Sequence, residues 1–503
     1  MISQRPKTMT RPVNEIDRRF DSKLTLLQRV ARGLAYALLA SMIVGCAVGP
    51  KYGKPSTKLQ PFHNAPAIDS LPASAPAAAL EAWWAGFNDP ELTRIIERVF
   101  QENLDLSASL ARVQQARAAA KEAGAQLKPS ASLVGQSNSF RQSLDSAAVR
   151  YAGQVPNFSR NQNYLDLGVA ATWEIDLFGG LRRGVEAATD EAQVAEAQHL
   201  GTRVVVAAEA ADAYMQVRGA QVRLKFATEQ IATDEHLLQL VSQRKAAGVA
   251  SDRELAQAEA LLAQARASLP LILITLEAEL NRLDVLMGAQ PGTYAFELKT
   301  TGDIPAIPKI PGIDDASDLL RRRPDIITAE RRLAASNARI GQAIAEYYPK
   351  ISLSALLGSE AINPGDLFRD RGFQPSLVAG LRWRLFDFGR VDAEVKQAKG
   401  ANAEALSQYR ASVLLAAEDV EDSFSALAQS QARQGEVLSE IGALQRVRDR
   451  SQESYQAGVI GLTDVLDADR QLLVARDDLA LSRESAARAA VGSFRALGGG
   501  RQP

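Results

Sequence analysis

The sequence predicts an internally duplicated α+β fold, with very long helical hairpins and four β-strands per chain, and three observations carry that prediction. The first is a gapless repeat. The stretch Trp173 to Arg266 is rewritten from Trp383 to Arg476, since 383 − 173 and 476 − 266 are both 210. Each copy opens on a Trp six residues before a Gly (Gly179, Gly389), and Asp212 then falls on Asp422, Tyr214 on Phe424, and Ala247-Gly248-Val249 on Ala457-Gly458-Val459. A repeat found first decides how the rest of a chain is divided. The second observation is helical length. Val391 to Tyr455 and its counterpart Arg183 to Ala247 are rich in good helix formers, with apolar residues three and four apart at Leu406, Tyr409, Val413, Ala416, Val420, Phe424 and Leu427. The third is alternation of period two after Pro129 and again after Pro349.

Taken in order, residues 1–45 read as a leader. Leu34 to Gly45 is apolar, follows Arg29 and Arg32, and ends in Ile43-Val44-Gly45-Cys46. Such a run is shorter than the roughly 20 residues of a spanning helix but suits a signal peptide. Residues 46–88 are rich in Pro, Ala and Ser at first and are expected to be extended. Asp89-Pro90 is a helix start, and one helix is expected to run from it to about Leu127. The first repeat unit is 89–288 with a β-hairpin at about 130–175. A Pro-rich crossover, 289–313, leads into the second unit, 314–498, whose hairpin lies at about 350–386, and 499–503 is a tail. Pro270 is expected to interrupt the helix after Ser251 and to kink it.

In the second hairpin Ile351, Leu353, Ala355 and Leu357 point one way and Ser352, Ser354 and Gly358 the other, while Leu377, Leu381, Trp383 and Leu385 oppose Gly380, Arg382 and Arg384. Arginines on one face imply a wet lumen, and the apolar face implies lipid. Four strands are too few to close a barrel, and open edges in lipid cost several kcal/mol per unpaired backbone group, so the chain must oligomerise.

Composition bounds the chemistry. Lys+Arg 58 against Asp+Glu 59 leaves no basic footprint for nucleic acid. Aromatic content of 6% suits long helices in bundles better than a thick globular core. One Cys and three His leave little for disulfides, thiol chemistry or metal sites, the histidines lack metal-ligand spacing, and no catalytic constellation or phosphate loop is visible. The chain reads as neither an enzyme nor a cofactor protein.

Several separated motifs occur together: Gly49-Pro50-Lys51-Tyr52-Gly53-Lys54-Pro55, Trp83-Trp84, Arg322-Arg323-Pro324-Asp325-Ile326, Ala338-Arg339-Ile340-Gly341-Gln342-Ala343 and Tyr347-Tyr348-Pro349. With these the chain, from Cys46 to Gly500, resembles the outer-membrane factor family of bacterial tripartite efflux pumps, in its TolC/NodT-like lipoprotein branch. The Ile-Val-Gly-Cys run resembles a lipobox, which implies a covalent lipid on Cys46. The family implies a homotrimer, a shared outer-membrane β-barrel of about 12 strands and a periplasmic α-barrel. It also implies a periplasmic adaptor and an inner-membrane resistance-nodulation-division transporter as partners. Within the family a heavy-metal or type I secretion duct is the alternative; outside it, a coiled-coil spacer lipoprotein that forms no channel.

Gly248 and Gly458 end the two longest helices as helix-hairpin turns, and an acid follows each Gly by six residues, Glu254 and Asp464. Asp464-Val465-Leu466-Asp467-Ala468 resembles the constriction of TolC-like channels, where aspartates of three chains ring the closed periplasmic entrance. The resemblance assigns the ring of the gate to Asp464 and Asp467 and a gate-side cation to Arg470, and Glu254, at the matching place in the first copy, is expected at the same gate. At Ile460 the sequence departs from the arginine that TolC uses to hold its entrance shut.

Overall fold

The computed structural model describes residues 47–56, 59–70, 79–143, 145, 149–150, 159–310 and 322–500. Cys46 lies outside these residues, as do most of the first hairpin loop and the end of the crossover. In the first half the elements are α1 (Pro90–Glu102), α2 (Leu104–Ala125), β1 (Ser130–Arg141), β2 (Asn161–Ile175), α3 (Gly180–Ala246) and α4 (Asp252–Leu286). In the second they are α5 (Pro324–Ala345), β3 (Lys350–Ala361), β4 (Ser376–Arg382), α6 (Arg390–Gln456) and α7 (Leu462–Ala496). The duplication holds at the level of elements. Helices α3 and α6 both have 67 residues, and α4 and α7 both have 35.

The chain divides into two compact units. One holds the described part of Met1–Tyr52 with Ala120–Ala188 and Ser336–Ala401; the other holds Gly53–Ala119, Thr189–Ala335 and the described part of Asn402–Pro503. Each unit takes segments from both repeats, so compactness does not follow the 89–288 and 314–498 boundaries. The reason is visible in the first unit, where β2 of one repeat pairs with β3 of the other.

That unit is built on one antiparallel sheet of order β1-β2-β3-β4. Its register puts Leu133, Val169 and Leu357 in one cross-strand row, and Ala131, Ala171, Ala355 and Leu377 in the next. The opposite face carries Ser130, Thr172, Ser354 and Val378 in one row and Gln136, Asp166 and Glu360 in another. One face is thus apolar and the other largely polar, as the alternation predicts. Leu133, Leu377 and Leu381 are about three-quarters exposed, which no water-facing sheet face accounts for. The indoles of Trp173 and Trp383 donate to the carbonyls of Leu127 and Tyr347, each at 3.0 Å, and tie strand ends to the turns that enter β1 and β3. The chain entering after Cys46 is pinned here too. Val48 N–H donates to Phe178 O at 3.0 Å, Arg183 Nε donates to Val48 O at 3.2 Å, and Asn337 Nδ2 donates to Pro50 O at 3.2 Å.

The second unit is helical. The predicted stripe is its core, for Tyr409, Val413, Ala416, Val420, Phe424 and Leu427 are all buried. The Trp83-Trp84 motif closes one cluster: Trp83 stacks on Phe494 at 5.3 Å and meets Phe87 edge-on. Gly499 lies so close that a Cβ there would sit 2.8 Å from the Trp83 ring, so the first glycines of the expected tail are core residues. Residues 46–88 are likewise not extended throughout, because Leu80–Phe87 forms a 3-10 helix.

Two helix expectations are corrected. Pro270 does not interrupt α4, which is continuous from Asp252 to Leu286. Neighbouring helices offset the lost hydrogen bond, since Ile272 is buried against Ala220 and Ala227 of α3. Among the described helices α4 alone is long and apolar enough to cross a membrane. Its repeat partner α7 has the same length without that character, so the duplicated plan does not call for a spanning helix.

The single helix expected from Asp89 to Leu127 is two. Asn103 takes an extended conformation (φ −64°, ψ 127°) between α1 and α2. Its side-chain oxygen accepts from Leu106 N–H at 3.0 Å and its amide donates to Leu286 O at 2.8 Å, so it starts α2 and satisfies the end of α4 together. Asn103→Ala removes both bonds and leaves a buried carbonyl unpaired, at a cost of about 2 kcal/mol. The expected result is a lower midpoint for loss of the helical circular-dichroism signal on heating.

Candidate functional site: the tips of the helical hairpins

Each hairpin turns on a glycine that only a left-handed backbone can serve. Gly248 has φ +75° and Gly458 φ +73°, with open space around both. In each turn the Gly N–H bonds the carbonyl three residues back and the following Val N–H reaches five back, Gly248 to Lys245 and Val249 to Arg244, Gly458 to Tyr455 and Val459 to Ser454, all at 2.9 Å. This pairing satisfies the carbonyls that a helix end leaves open.

The next helix begins three residues later in both copies, and here the two predicted acids have a local role. Glu254 forms a capping box with Ser251, accepting from its N–H at 2.6 Å and its hydroxyl at 2.8 Å. The backbone N–H and then the hydroxyl of Ser251 hold the Glu254 carboxyl below its ordinary value. Asp464, its repeat partner, accepts from Gly461 N–H at 3.2 Å. Gly461 has no side chain to return the bond, so Asp464 caps alone and stays exposed.

Asp467 is also exposed but is not alone. Arg470 donates to it at 3.0 Å and Gln471 Nε2 at 2.6 Å, both from the same helix. Glu254, Asp464, Asp467 and Arg470 therefore lie within the first turns beyond the two hairpin turns. Beneath them Val241, Ala258, Leu261, Leu462 and Leu466 form a small buried cluster that joins the hairpins. Thr463 Oγ1 donates to Gln257 Oε1 at 3.2 Å, and Arg244 donates to the Tyr455 hydroxyl while lying 5.1 Å over its ring. These contacts link α3 to α6 and α4 to α7.

The sequence reading missed the third acid of the run. Asp469 turns inward, where Arg448 Nε donates to it at 3.2 Å, and it shares its surroundings with Asp234 of α3. Asp234 is 1% exposed, one carboxyl oxygen accepts from Gln230 at 2.8 Å and the other has no partner. Burial is the main cause that pushes Asp234 up to about 6, with Asp469 adding to it, and burial also raises Asp469 against the pull of Arg448. The position of Asp469 two residues after Asp467 was the available signal, since two residues along a helix is the opposite face.

Because the folded state raises the pKa of Asp234, it opposes ionisation there. No penalty exists below the unfolded value near 3.8, and the penalty grows as pH rises and is complete above about 6. Asp234→Asn removes the charge, so it should stabilise the helical unit at pH 8 by up to about 3 kcal/mol and bring no such gain at pH 4. Thermal melts of both proteins at the two pH values check this; an equal gain at both would show that ionisation is not the cause.

Known proteins match this architecture. The family model for the outer membrane efflux protein matches residues 95–289 and 316–499. The pyoverdine export outer membrane protein OpmQ of Pseudomonas aeruginosa is 33% identical over 430 residues, covering 85% of this chain and 89% of that one. The toluene efflux pump outer membrane protein TtgC of Pseudomonas putida is 28% identical over 474 residues, covering 93% and 95%. Among solved structures the outer-membrane channel OprN superposes with a TM-score of 0.83 at 33% identity, covering 91% of this chain and 100% of that one.

Proposed function

The chain belongs to the outer membrane efflux protein family, and from that premise we propose that three copies form the passive export duct of a tripartite efflux system. The carrying observation is the sheet: four antiparallel strands, exposed apolar residues on one face, polar residues on the other, and two edges with no partner strand among the described residues. Edges cannot be left in lipid, and three such sheets give a closed barrel of about 12 strands, within the known range. The helical hairpins then form the periplasmic conduit, with the Gly248 and Gly458 turns at its entrance. A periplasmic adaptor and an inner-membrane transporter of the resistance-nodulation-division class would dock there and supply the energy. The partner would also set the cargo, since relatives of similar identity are named for export of compounds as unlike as pyoverdine and toluene.

Detergent-extracted protein should have the mass of three chains and conduct in planar bilayers; a folded, monomeric, non-conducting species would overturn the duct. The gate assignment is tested in the same recordings. Asp467 is offset by Arg470, which leaves Asp464 as the main uncompensated charge of a three-fold ring. Asp464→Asn keeps an acceptor for Gly461 and removes the charge. It should weaken block by a trivalent cation at least tenfold, whereas Arg470→Ala should strengthen it. Unchanged block in both would move the constriction elsewhere.

Lipidation of Cys46 is supported by the anchorage of its C-terminal neighbours. Val48 is fastened where β2, which carries Trp173, passes into α3, and Pro50 is held by Asn337 of α5; indoles such as that of Trp173 mark the membrane interface. A lipid on Cys46 would reach the bilayer from there. Mass spectrometry of the mature N-terminus should find Cys46 as the first residue, carrying more than one acyl chain, because one chain gives only marginal anchoring. An unmodified Cys46 still joined to Gly45 would exclude the anchor.

A further inference from the structure

Helix α3 has two different sides where it passes through the helical unit. Ala207, Ala211 and Tyr214 belong to the core that Trp83 closes. Nine residues of helix are two and a half turns, so Gln198, Thr202 and Val205, each nine residues before one of these, point the opposite way. On that side one face of each of four helices borders a hollow of about 890 Å3: Arg112 comes from α2, Gln198 and Thr202 from α3, Thr328 and Arg332 from α5, and Gln408 from α6. All of them belong to the helical unit. The volume falls in the range of small-molecule sites, about 300–1,000 Å3, and Val205 is the largest apolar residue on the lining, so the space suits a polar guest.

Charge narrows the guest further. Asp325 is the acid on this lining, and Arg323 donates to it at 2.7 and 3.1 Å while also reaching Asp419 at 2.8 Å. Arg112 and Arg332 stand outside that triad. Neighbours in the same helices are paired, Arg117 with Glu196 at 2.7 Å and Arg331 with Glu330 at 2.8 Å, but among the described residues neither Arg112 nor Arg332 has a carboxylate within salt-bridge reach. Both are exposed to the hollow. Counting the triad, three guanidiniums meet two carboxylates, so the site is positive and its two unengaged charges are on different helices.

We propose that this hollow binds a soluble organic anion with two or more carboxylate or phosphate groups, Arg112 and Arg332 gripping the charges and Gln198, Thr202, Thr328 and Gln408 bonding the polar remainder. A guanidinium presents a planar fork of donors that matches either group, and two forks on different helices ask for a ligand charged at more than one point. The site is complete within one chain. Its place in a duct rests on the export reading: the core side of α3 is covered by Phe62, Trp83 and the Ile95 and Val99 face of α1, which leaves the hollow on the conduit wall. There it gives an anionic cargo a foothold during passage.

Isothermal titration calorimetry on the full chain in a neutral detergent tests this, at low salt because exposed charges are screened. Citrate and fructose 1,6-bisphosphate are the probes, one for each anionic group, and sucrose is the neutral control. At least one anion should bind with one molecule per chain, and sucrose should not bind; the anion that binds more tightly names the preferred group. Arg112→Gln and Arg332→Gln should each raise its Kd at least fivefold, and together at least twentyfold. Arg253→Gln, which alters an exposed guanidinium on α4 away from the lining, should leave Kd unchanged. No binding of either anion, equal binding of sucrose, or binding that survives the double substitution in a protein with unaltered circular dichroism overturns the site. If that same preparation has the mass of three chains and conducts, the duct stands without it. Anion binding by a monomeric, non-conducting protein overturns the place on the conduit wall.

Discussion

Backbone groups in lipid must be paired within protein, and this chain offers a sheet that cannot meet that demand alone. Four strands have two open edges, and each unpaired group in hydrocarbon costs several kcal/mol. Closing those edges accounts for much else in the molecule. Exposed Leu133, Leu377 and Leu381 are tolerable on a lipid face and would be aggregation sites elsewhere. The same demand explains why compact units ignore the repeat boundaries. A hairpin of two strands is marginal by itself, so the hairpins of the two repeats share one sheet through β2 and β3.

Duplication and asymmetry divide the labour. Equal helix lengths, matching Gly turns and the paired indole bonds of Trp173 and Trp383 show where the halves stay alike. They differ where only one copy of a partner exists. Val48 fastens at Phe178 and Arg183 of the first half while Pro50 fastens at Asn337 of the second, and the aromatic ring that seats Phe178 has no counterpart before β1, where Lys128 stands.

The long helices, hairpins and strand faces were legible because each rests on period: three and four along α6, two along β3, and 210 between copies. Asn103 was not legible. An Asn inside an apolar stripe reads as a weak helix residue, and only the nearby carbonyl of Leu286 shows why the helix breaks there. Pro270 failed in the other direction, since packing against α3 outweighs the missing hydrogen bond. At the tip Glu254, Asp464, Asp467 and Arg470 lie beside the turns. The sequence could not separate capping from gating, because a carboxylate at the third helical position serves either role.

That ambiguity has a physical resolution in the two hairpins. Ser251 reciprocates with Glu254, so this carboxylate is held by two donors of one residue and its charge is spent at the helix start. Gly461 cannot reciprocate, and Asp464 keeps one weaker contact at 3.2 Å. Substituting Gly for Ser at a helix start costs only a few tenths of a kcal/mol, so the exchange leaves the fold nearly unchanged while freeing a charge. Asp467 and Asp469 complete the division, one neutralised along its own helix by Arg470 and the other half-buried against Arg448. Among Glu254, Asp464, Asp467 and Asp469, Asp464 is the one whose charge remains available to whatever passes or docks there.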